Sequence, residues 1–268
     1  MIKSDSHVHT SFSHDAKAPE SSPEKVLDAA VEKGLDMVCI TDHLDLNDPA
    51  ITDEFPADEY YSTLLSLQKQ YKDKIALRIG IELGLQKEYA ERYNAFTRKH
   101  ALDMVIGSVH CINGADPYYG TFFEGKTSYE AYHEAFQYTL ENLKTEADFD
   151  ILGHIDYVIR YGNYGENVYS YELFQEDLDA ILSCVIETGR GIEVNTSAFR
   201  YGLSEPHPCI KIIQRYQELG GEIITAASDA HKPKDIASDF QKLEAILTAC
   251  GFRYYAVYKS RKPYFYKL

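Results

Sequence analysis

Asp5-Ser6-His7-Val8-His9 closes a short β-like run over residues 2–6 of a 268-residue chain with two histidines two positions apart. Extended backbone sends successive side chains to opposite faces, so a spacing of two puts His7 and His9 on one face. Two imidazoles on one face are half of a metal site. The pattern recurs further along: later β-like runs end in Asp42-His43, Gly80-Ile81-Glu82, Gly107-Ser108-Val109-His110, Gly153-His154-Ile155-Asp156 and Ser228-Asp229-Ala230-His231.

Between these ends the hydrophobic period switches repeatedly from strand to helix, which predicts a parallel sheet. The strands fall at 2–6, 36–41, 75–83, 104–109, 150–153, 191–194 and 222–227, and the helices at 23–33, 58–71, 86–99, 128–145, 172–187, 208–219 and 236–250. The first helix is bounded by Ser22-Pro23 at its start and Gly34 at its end. The aromatic tail, 252–268, reads as one or two strands, and 44–57 and 157–171 read as inserted loops. No linker divides the chain, so 1–268 is expected to be one domain. Seven strand and helix units suggest a closed or nearly closed α/β barrel, with an open doubly wound sheet as the other possibility. In a barrel the listed strand ends converge on one face. No GxGxxG or GxxxxGK[ST] follows a strand, which disfavours dinucleotide and P-loop chemistry.

Imidazoles mixed with a few carboxylates suit Zn, Fe or Mn, whereas an all-oxygen set would suit Mg or Ca. Eight or nine such residues exceed the needs of one ion and imply two or three divalent ions sharing a carboxylate. A cluster of that kind activates water near neutral pH and clamps the oxygens of a transferring phosphoryl group, so hydrolysis of a phosphate ester is the natural reaction. Four histidines fall outside the pattern, one of them His14 beside Asp15. His100 follows Arg98-Lys99 in a last helical turn, His133 lies in a polar helix, and His207, between Pro206 and Pro208, suits a loop or a substrate contact equally.

These residues resemble the polymerase and histidinol phosphatase (PHP) superfamily, and within it the histidinol-phosphate phosphatases. The resemblance rests on His7-Val8-His9-Thr10 with Ser13-His14-Asp15, on Thr41-Asp42-His43, on Gly107-Ser108-Val109-His110 and on Ser228-Asp229-Ala230-His231, and it spans nearly the whole chain. It implies a distorted (β/α)7 TIM-like barrel and a trinuclear metal site. His7, His9, Glu82 and Asp229 would hold one ion, Glu82, His110 and His154 its neighbour, and Asp15, His43 and His231 the third. Many relatives carry a histidine where Asp15 stands here. Asp15 is favoured by position, with His14 beside it as the alternative. The implied reaction is hydrolysis of L-histidinol phosphate to L-histidinol and phosphate, in histidine biosynthesis, with Asp229 or His231 delivering a proton to the leaving group.

A phosphate dianion needs cationic donors beyond the metals, and the arginine fork matches it. Arg160 and Arg200 lie just beyond strand ends, Arg200 downstream of Glu193-Val194-Asn195-Thr196, a strand end similar to that subgroup. Asp116, Tyr118 and Tyr161 lie in loops on the same side and suit the cationic end of the leaving group. The formal charge of -15, with no Lys/Arg run longer than Arg261-Lys262, disfavours nucleic acid and anionic membrane as partners. No apolar stretch nears the roughly 18 residues of a spanning helix, the first residues lack a signal-peptide core, and the five cysteines form no CxxC pair. The expectation is a cytoplasmic enzyme with reduced thiols and a small phosphate monoester as substrate. Two other readings compete: the same centre acting on another small phosphate ester or a nucleotide, and a metal-stabilised interaction module without catalysis.

Overall fold

Strand and helix alternate as the hydrophobic period predicts. The computed structural model describes residues 2–16, 19–46, 55–164 and 168–268. β1 (Ser4–Val8) leads into α1 (Pro23–Glu32), β2 (Met37–Ile40) and the short β3 (His43–Asp45). Then come α2 (Ala57–Gln70), β4 (Ala76–Gly84), α3 (Ala90–Lys99), β5 (Met104–Ser108), α4 (Ser128–Leu143) and β6 (Ile151–Leu152). α5 (Gln175–Glu187), β7 (Gly191–Asn195), the one-turn α6 (Ser197–Arg200), α7 (Ile210–Glu218), β8 (Ile224–Ala227) and α8 (Phe240–Ala249) complete the alternation. β9 (Tyr254–Lys259) and β10 (Lys262–Lys267) follow as an antiparallel hairpin.

The strands pair in parallel in the order β1-β2-β4-β5-β6-β7-β8, with β3 beside the upper part of β4. An open sheet would leave β1 and β8 as edges. Here the two meet: the Asp229 N–H donates to the His7 carbonyl at 2.8 Å, the His9 N–H donates to the Ala230 carbonyl at 2.9 Å, and Val8 bridges Ala230. The sheet is therefore a nearly closed parallel barrel, and the doubly wound alternative is excluded. Asp5, fully buried, latches this seam by accepting from Ser228 N (3.0 Å), Ser228 Oγ (2.5 Å) and Ala237 N (2.8 Å).

Several boundaries differ from those read in the sequence. β1 runs two residues further, to Val8, because Val8 resumes the pairing, against Ile40, after an irregularity in register. β3 and α6 were not expected: His43, Asp45 and Arg200 are not strand or helix signals in themselves. β3 takes the start of the expected 44–57 loop, of which residues 47–54 lie outside the described residues, as do 165–167 of the second loop. α8 starts at Phe240 instead of 236, because Ala237 and Asp239 have positive φ (51° and 60°). The segment 172–187 opens with a 3-10 turn, Tyr171–Phe174, before α5. α1 follows its signals: Pro23 in the first turn, Gly34 at φ 71° past the end, and Val26, Leu27 and Ala30 buried on one face.

The hairpin turns on Ser260 and Arg261, both at positive φ (50° and 63°), the geometry of a two-residue turn that normally favours Asn or Gly. What holds it is the far face of the barrel. Ser260 N donates to Asp103 Oδ1 (2.9 Å), Arg261 N to the Asp103 carbonyl (2.8 Å), and the Arg261 guanidinium makes two bonds to Asp148 (2.9 and 3.0 Å) and one to Asp150 (2.6 Å). Asp103 and Asp150 precede β5 and β6, so the hairpin closes the end opposite the histidines. Arg261→Ala is expected to lower the unfolding free energy by about 1–3 kcal/mol, the worth of charge-assisted bonds at a partly buried site, with turnover unchanged. Urea unfolding measures it; a change below about 0.5 kcal/mol would show the clip to be idle.

Candidate metal centre

Glu82, near the end of β4, is the hub. Its Oε2 lies 3.1 Å from His43 Nδ1, 3.2 Å from His7 Nε2 and 3.5 Å from His9 Nε2, while its Oε1 lies 3.1 Å from His154 Nε2 and 3.2 Å from His110 Nε2. Asp229 Oδ1, two residues past β8, is 3.2 Å from His9 Nε2 and 3.8 Å from His7 Nε2. Asp15, in the loop after β1, brings its carboxylate to 3.0 Å from His231 Nε2 and 3.7 Å from His43 Nε2. The structure thus brings together His7, His9, Asp15, His43, Glu82, His110, His154, Asp229 and His231. Half-exposed Asp15 faces the imidazoles directly, and the ring of His14 lies 5.3 Å from that of His43.

These residues fit metal ions. Nε2 of His7, His9 and His231, Nδ1 of His43 and Oε2 of Glu82 are buried without a hydrogen-bond partner, a costly arrangement for polar atoms unless something else is bound. Ligand atoms of His7, His9 and Glu82, of His43, Glu82 and His110, and of His9, His43 and His231 lie within 4.8 Å of one another in each group. Glu82 belongs to two of the three groups, with Oε2 toward His7, His9 and His43 and Oε1 toward His110 and His154, as a bridging carboxylate would be. Burial alone would raise its pKa, yet the His7, His110 and His43 imidazoles hold the carboxyl well below its usual range.

A surrounding layer aims these side chains, and sequence reading missed most of it. Asp42 accepts from Thr10 N (2.6 Å), Thr10 Oγ1 (2.8 Å), Ser13 N (3.1 Å) and Ser13 Oγ (2.6 Å), so it anchors the loop after β1. Ser13 Oγ in turn accepts from His43 N (3.1 Å) and lies 3.0 Å from His9 Nδ1, leaving His9 Nε2 for the centre. Asp45, on β3, puts one oxygen 2.9 Å from His110 Nδ1 and the other 3.2 Å from His43 Nδ1. Its carboxylate occupies the space a Cβ on Gly84 would need, so any larger residue there would have to displace it. The one available signal for Asp45 was its i+2 spacing from His43. Asp229 adopts φ 52°, an uncommon conformation for a non-glycine residue at a strand end. Arg200 Nη2 holds that turn through the carbonyls of Ser228 (2.7 Å) and Asp229 (2.8 Å), and the ring of His231 folds back to within 3.1 Å of the Asp229 carbonyl.

Around the mouth, Arg160 donates to Ser197 Oγ at 2.6 Å and lies over the ring of Tyr201 (4.1 Å) and near that of Tyr157 (5.0 Å). Nε of Arg160 and Nη1 of Arg200 are buried without a hydrogen-bond partner. Rings step outward from the cluster: His154 to Tyr157 (4.8 Å), Tyr157 to Tyr161 (5.1 Å), Tyr161 to Tyr118 (5.6 Å). Tyr118 is 62% exposed at the rim, and Asp116 Oδ1 accepts its backbone N–H at 2.8 Å. Tyr157, the inner step, was not singled out among the 22 tyrosines. His207 is buried, its backbone pairs both ways with Asn195, and its Nδ1 lies 2.6 Å from Asp156. His100 and His133 sit away from the cluster, beside Asp58 (3.3 Å) and Asp177 (2.6 Å).

Comparison with known proteins agrees with this geometry. A family model described as PHP domain matches residues 5–197. The chain is similar to a histidinol-phosphatase of Lactococcus lactis subsp. lactis, 31% identical over 263 residues that span 98% of this chain and 96% of that one. It is also 31% identical to a probable histidinol-phosphatase of Clostridium acetobutylicum over 253 residues, 93% of this chain and 94% of the relative. A crystal structure of histidinol phosphate phosphatase from Lactococcus lactis, complexed with zinc, L-histidinol and phosphate, matches with a TM-score of 0.90 at 30% identity and covers 98% of each chain. Among the described residues no helix is long and apolar enough to cross a membrane.

Proposed function

The chain belongs to the PHP domain family, and on that premise we propose that it is a metal-dependent histidinol-phosphatase, hydrolysing L-histidinol phosphate to L-histidinol and phosphate in histidine biosynthesis. One observation carries the reading: the buried imidazoles and carboxylates converging on Glu82 lie in a chain that matches, over 98% of its length, a phosphatase holding zinc, L-histidinol and phosphate.

Two or three divalent ions, zinc, iron or manganese, would supply activated water and neutralise the phosphoryl oxygens. His7, His9, Glu82 and Asp229 would hold one, Glu82, His110 and His154 a second, and Asp15, His43 and His231 a third. The chain's own residues do the rest. The unpartnered nitrogens of Arg160 and Arg200 bind non-bridging oxygens of the phosphoryl group, and Asp229 or His231 delivers the proton that the leaving alkoxide takes up. Asp116, Tyr118 and Tyr161 receive the cationic end of the leaving group, and Tyr157, packed against His154, keeps water from that side. The closure of β8 against β1 supports reading residues 1–268 as one domain. The five cysteines are thiols outside any disulfide, three of them buried, which suits the reducing cytoplasm.

The experiment is phosphate release from L-histidinol phosphate by protein of measured metal content, beside a panel of simple monoesters and nucleotides. Saturable turnover with kcat/KM about 100-fold or more above the panel is expected, a gap of about 2.7 kcal/mol. Arg160→Ala should raise KM about 10- to 100-fold, the worth of a charge-assisted bond to phosphate. Equal rates across the panel would leave a phosphatase of another substrate.

A further inference from the structure

β7 supplies none of the proposed ligands, yet its Glu193 is fully buried beneath them. Glu193 Oε2 lies 2.8 Å from His7 Nδ1, and Oε1 accepts from His154 N (2.8 Å) and Asn195 Nδ2 (3.0 Å). The Asn195 amide cannot turn over without loss, because its Oδ1 accepts from Ser197 N at 2.9 Å while its Nδ2 also lies 3.3 Å from Asp229 Oδ2. Every group facing Oε1 is thus a donor. A neutral imidazole has one N–H and one lone pair, so an acceptor at Oε2 puts the His7 proton on Nδ1. That leaves the buried Nε2 as a bare lone pair, 3.2 Å from Glu82 and 3.8 Å from Asp229.

We propose that Glu193 is a positioning residue that sets the tautomer of His7 and, through the His154 backbone, ties together ligands on the two sides of Glu82. It acts through His7 and touches neither ion nor substrate. The inference rests on the metal-site reading above. It has an unusual consequence. In Glu193→Gln, a replacement of nearly the same shape, the two donors at Oε1 claim the amide oxygen, so the amide NH2 must face His7 Nδ1. The imidazole then has to accept there and carry its proton on Nε2, where it cannot ligate a metal. Glu193→Ala leaves a gap that imposes no tautomer.

The test measures zinc binding by chelator competition and by metal content in wild type, Glu193→Gln and Glu193→Ala, with nitrogen-15 histidine spectra of the zinc-loaded wild type. Glu193→Gln is expected to need about 10- to 100-fold more free zinc to fill the His7 position, and Glu193→Ala less than that. A packing role predicts the opposite order, because the alanine opens a cavity and the glutamine does not. The wild-type spectrum should place the His7 proton on Nδ1. A glutamine variant that binds zinc like wild type, or better than the alanine variant, overturns the proposal, as does a wild-type His7 proton on Nε2. The spectrum decides the matter even if a variant fails to fold. Wild-type protein that takes up no divalent ion overturns the metal-site reading itself, whereas zinc-loaded wild type matched by Glu193→Gln overturns the positioning role alone.

Discussion

Glu82→Gln is expected to lower turnover of L-histidinol phosphate at least about 1000-fold, or about 4 kcal/mol of barrier, and to reduce the divalent-ion content of the purified protein. Glu82 stands between two sets of imidazoles, with Oε2 within 3.5 Å of nitrogens from His7, His9 and His43 and Oε1 within 3.2 Å of those from His110 and His154. The substitution removes the negative charge and one acceptor at once. Its NH2 faces at least two of those nitrogens and forbids them to share an ion with it. The fold should survive, because a buried charge is itself costly and the metal-free variant carries one fewer. Unfolding of the metal-free variant within a few degrees of the metal-free wild type, together with the lost ions, separates the chemistry from the scaffold. Turnover within tenfold of wild type at full metal content would remove Glu82 from the bridging position.

Asp5→Ala is expected to cost about 3–5 kcal/mol of stability, enough to consume much of the roughly 5–15 kcal/mol margin of an ordinary domain. The carboxylate is buried and accepts from the backbone of Ser228 and Ala237 and the hydroxyl of Ser228, all at 3.0 Å or less. Alanine leaves the buried Ser228 N–H and the partly buried Ala237 N–H without acceptors at the seam where β8 meets β1, and that seam carries His7 and Asp229. Asn keeps a carbonyl for Ser228 but sets its amide against the Ala237 N–H, so Asp5→Asn should fall between wild type and alanine. Urea unfolding of metal-free protein reads this directly, and a loss below about 1 kcal/mol would show that the seam does not depend on the latch.

The convergence of these histidines and carboxylates on one cluster was legible because metal chemistry restricts residue type and strand geometry restricts spacing. His7-Val8-His9 is informative on both counts, and each later strand end repeats the signal. Asp45 and Glu193 were not legible in the same way. Their roles come from which imidazole nitrogen each faces, 65 and 186 positions away in the chain. Asp42 shows the converse, since it stands beside His43 in the same motif and yet serves the Thr10 and Ser13 loop. Arg200 was expected at the phosphate. Its Nη2 is engaged by the turn that carries Asp229, while its Nη1 is buried without a hydrogen-bond partner.

The sequence by itself determined the alternation of strand and helix, the positions at which chemistry-bearing residues end each strand, and the family those residues belong to, because periodicity and residue chemistry are local properties. Tertiary structure alone decided that the sheet closes instead of remaining open, that one carboxylate faces five imidazoles, and that the hairpin turn at Ser260 and Arg261 is clipped to the far end of the barrel. Each depends on pairing between distant segments, β1 with β8, β4 with the strand ends around it, and β9–β10 with Asp103, Asp148 and Asp150, and such pairing has no signature in any single window of sequence.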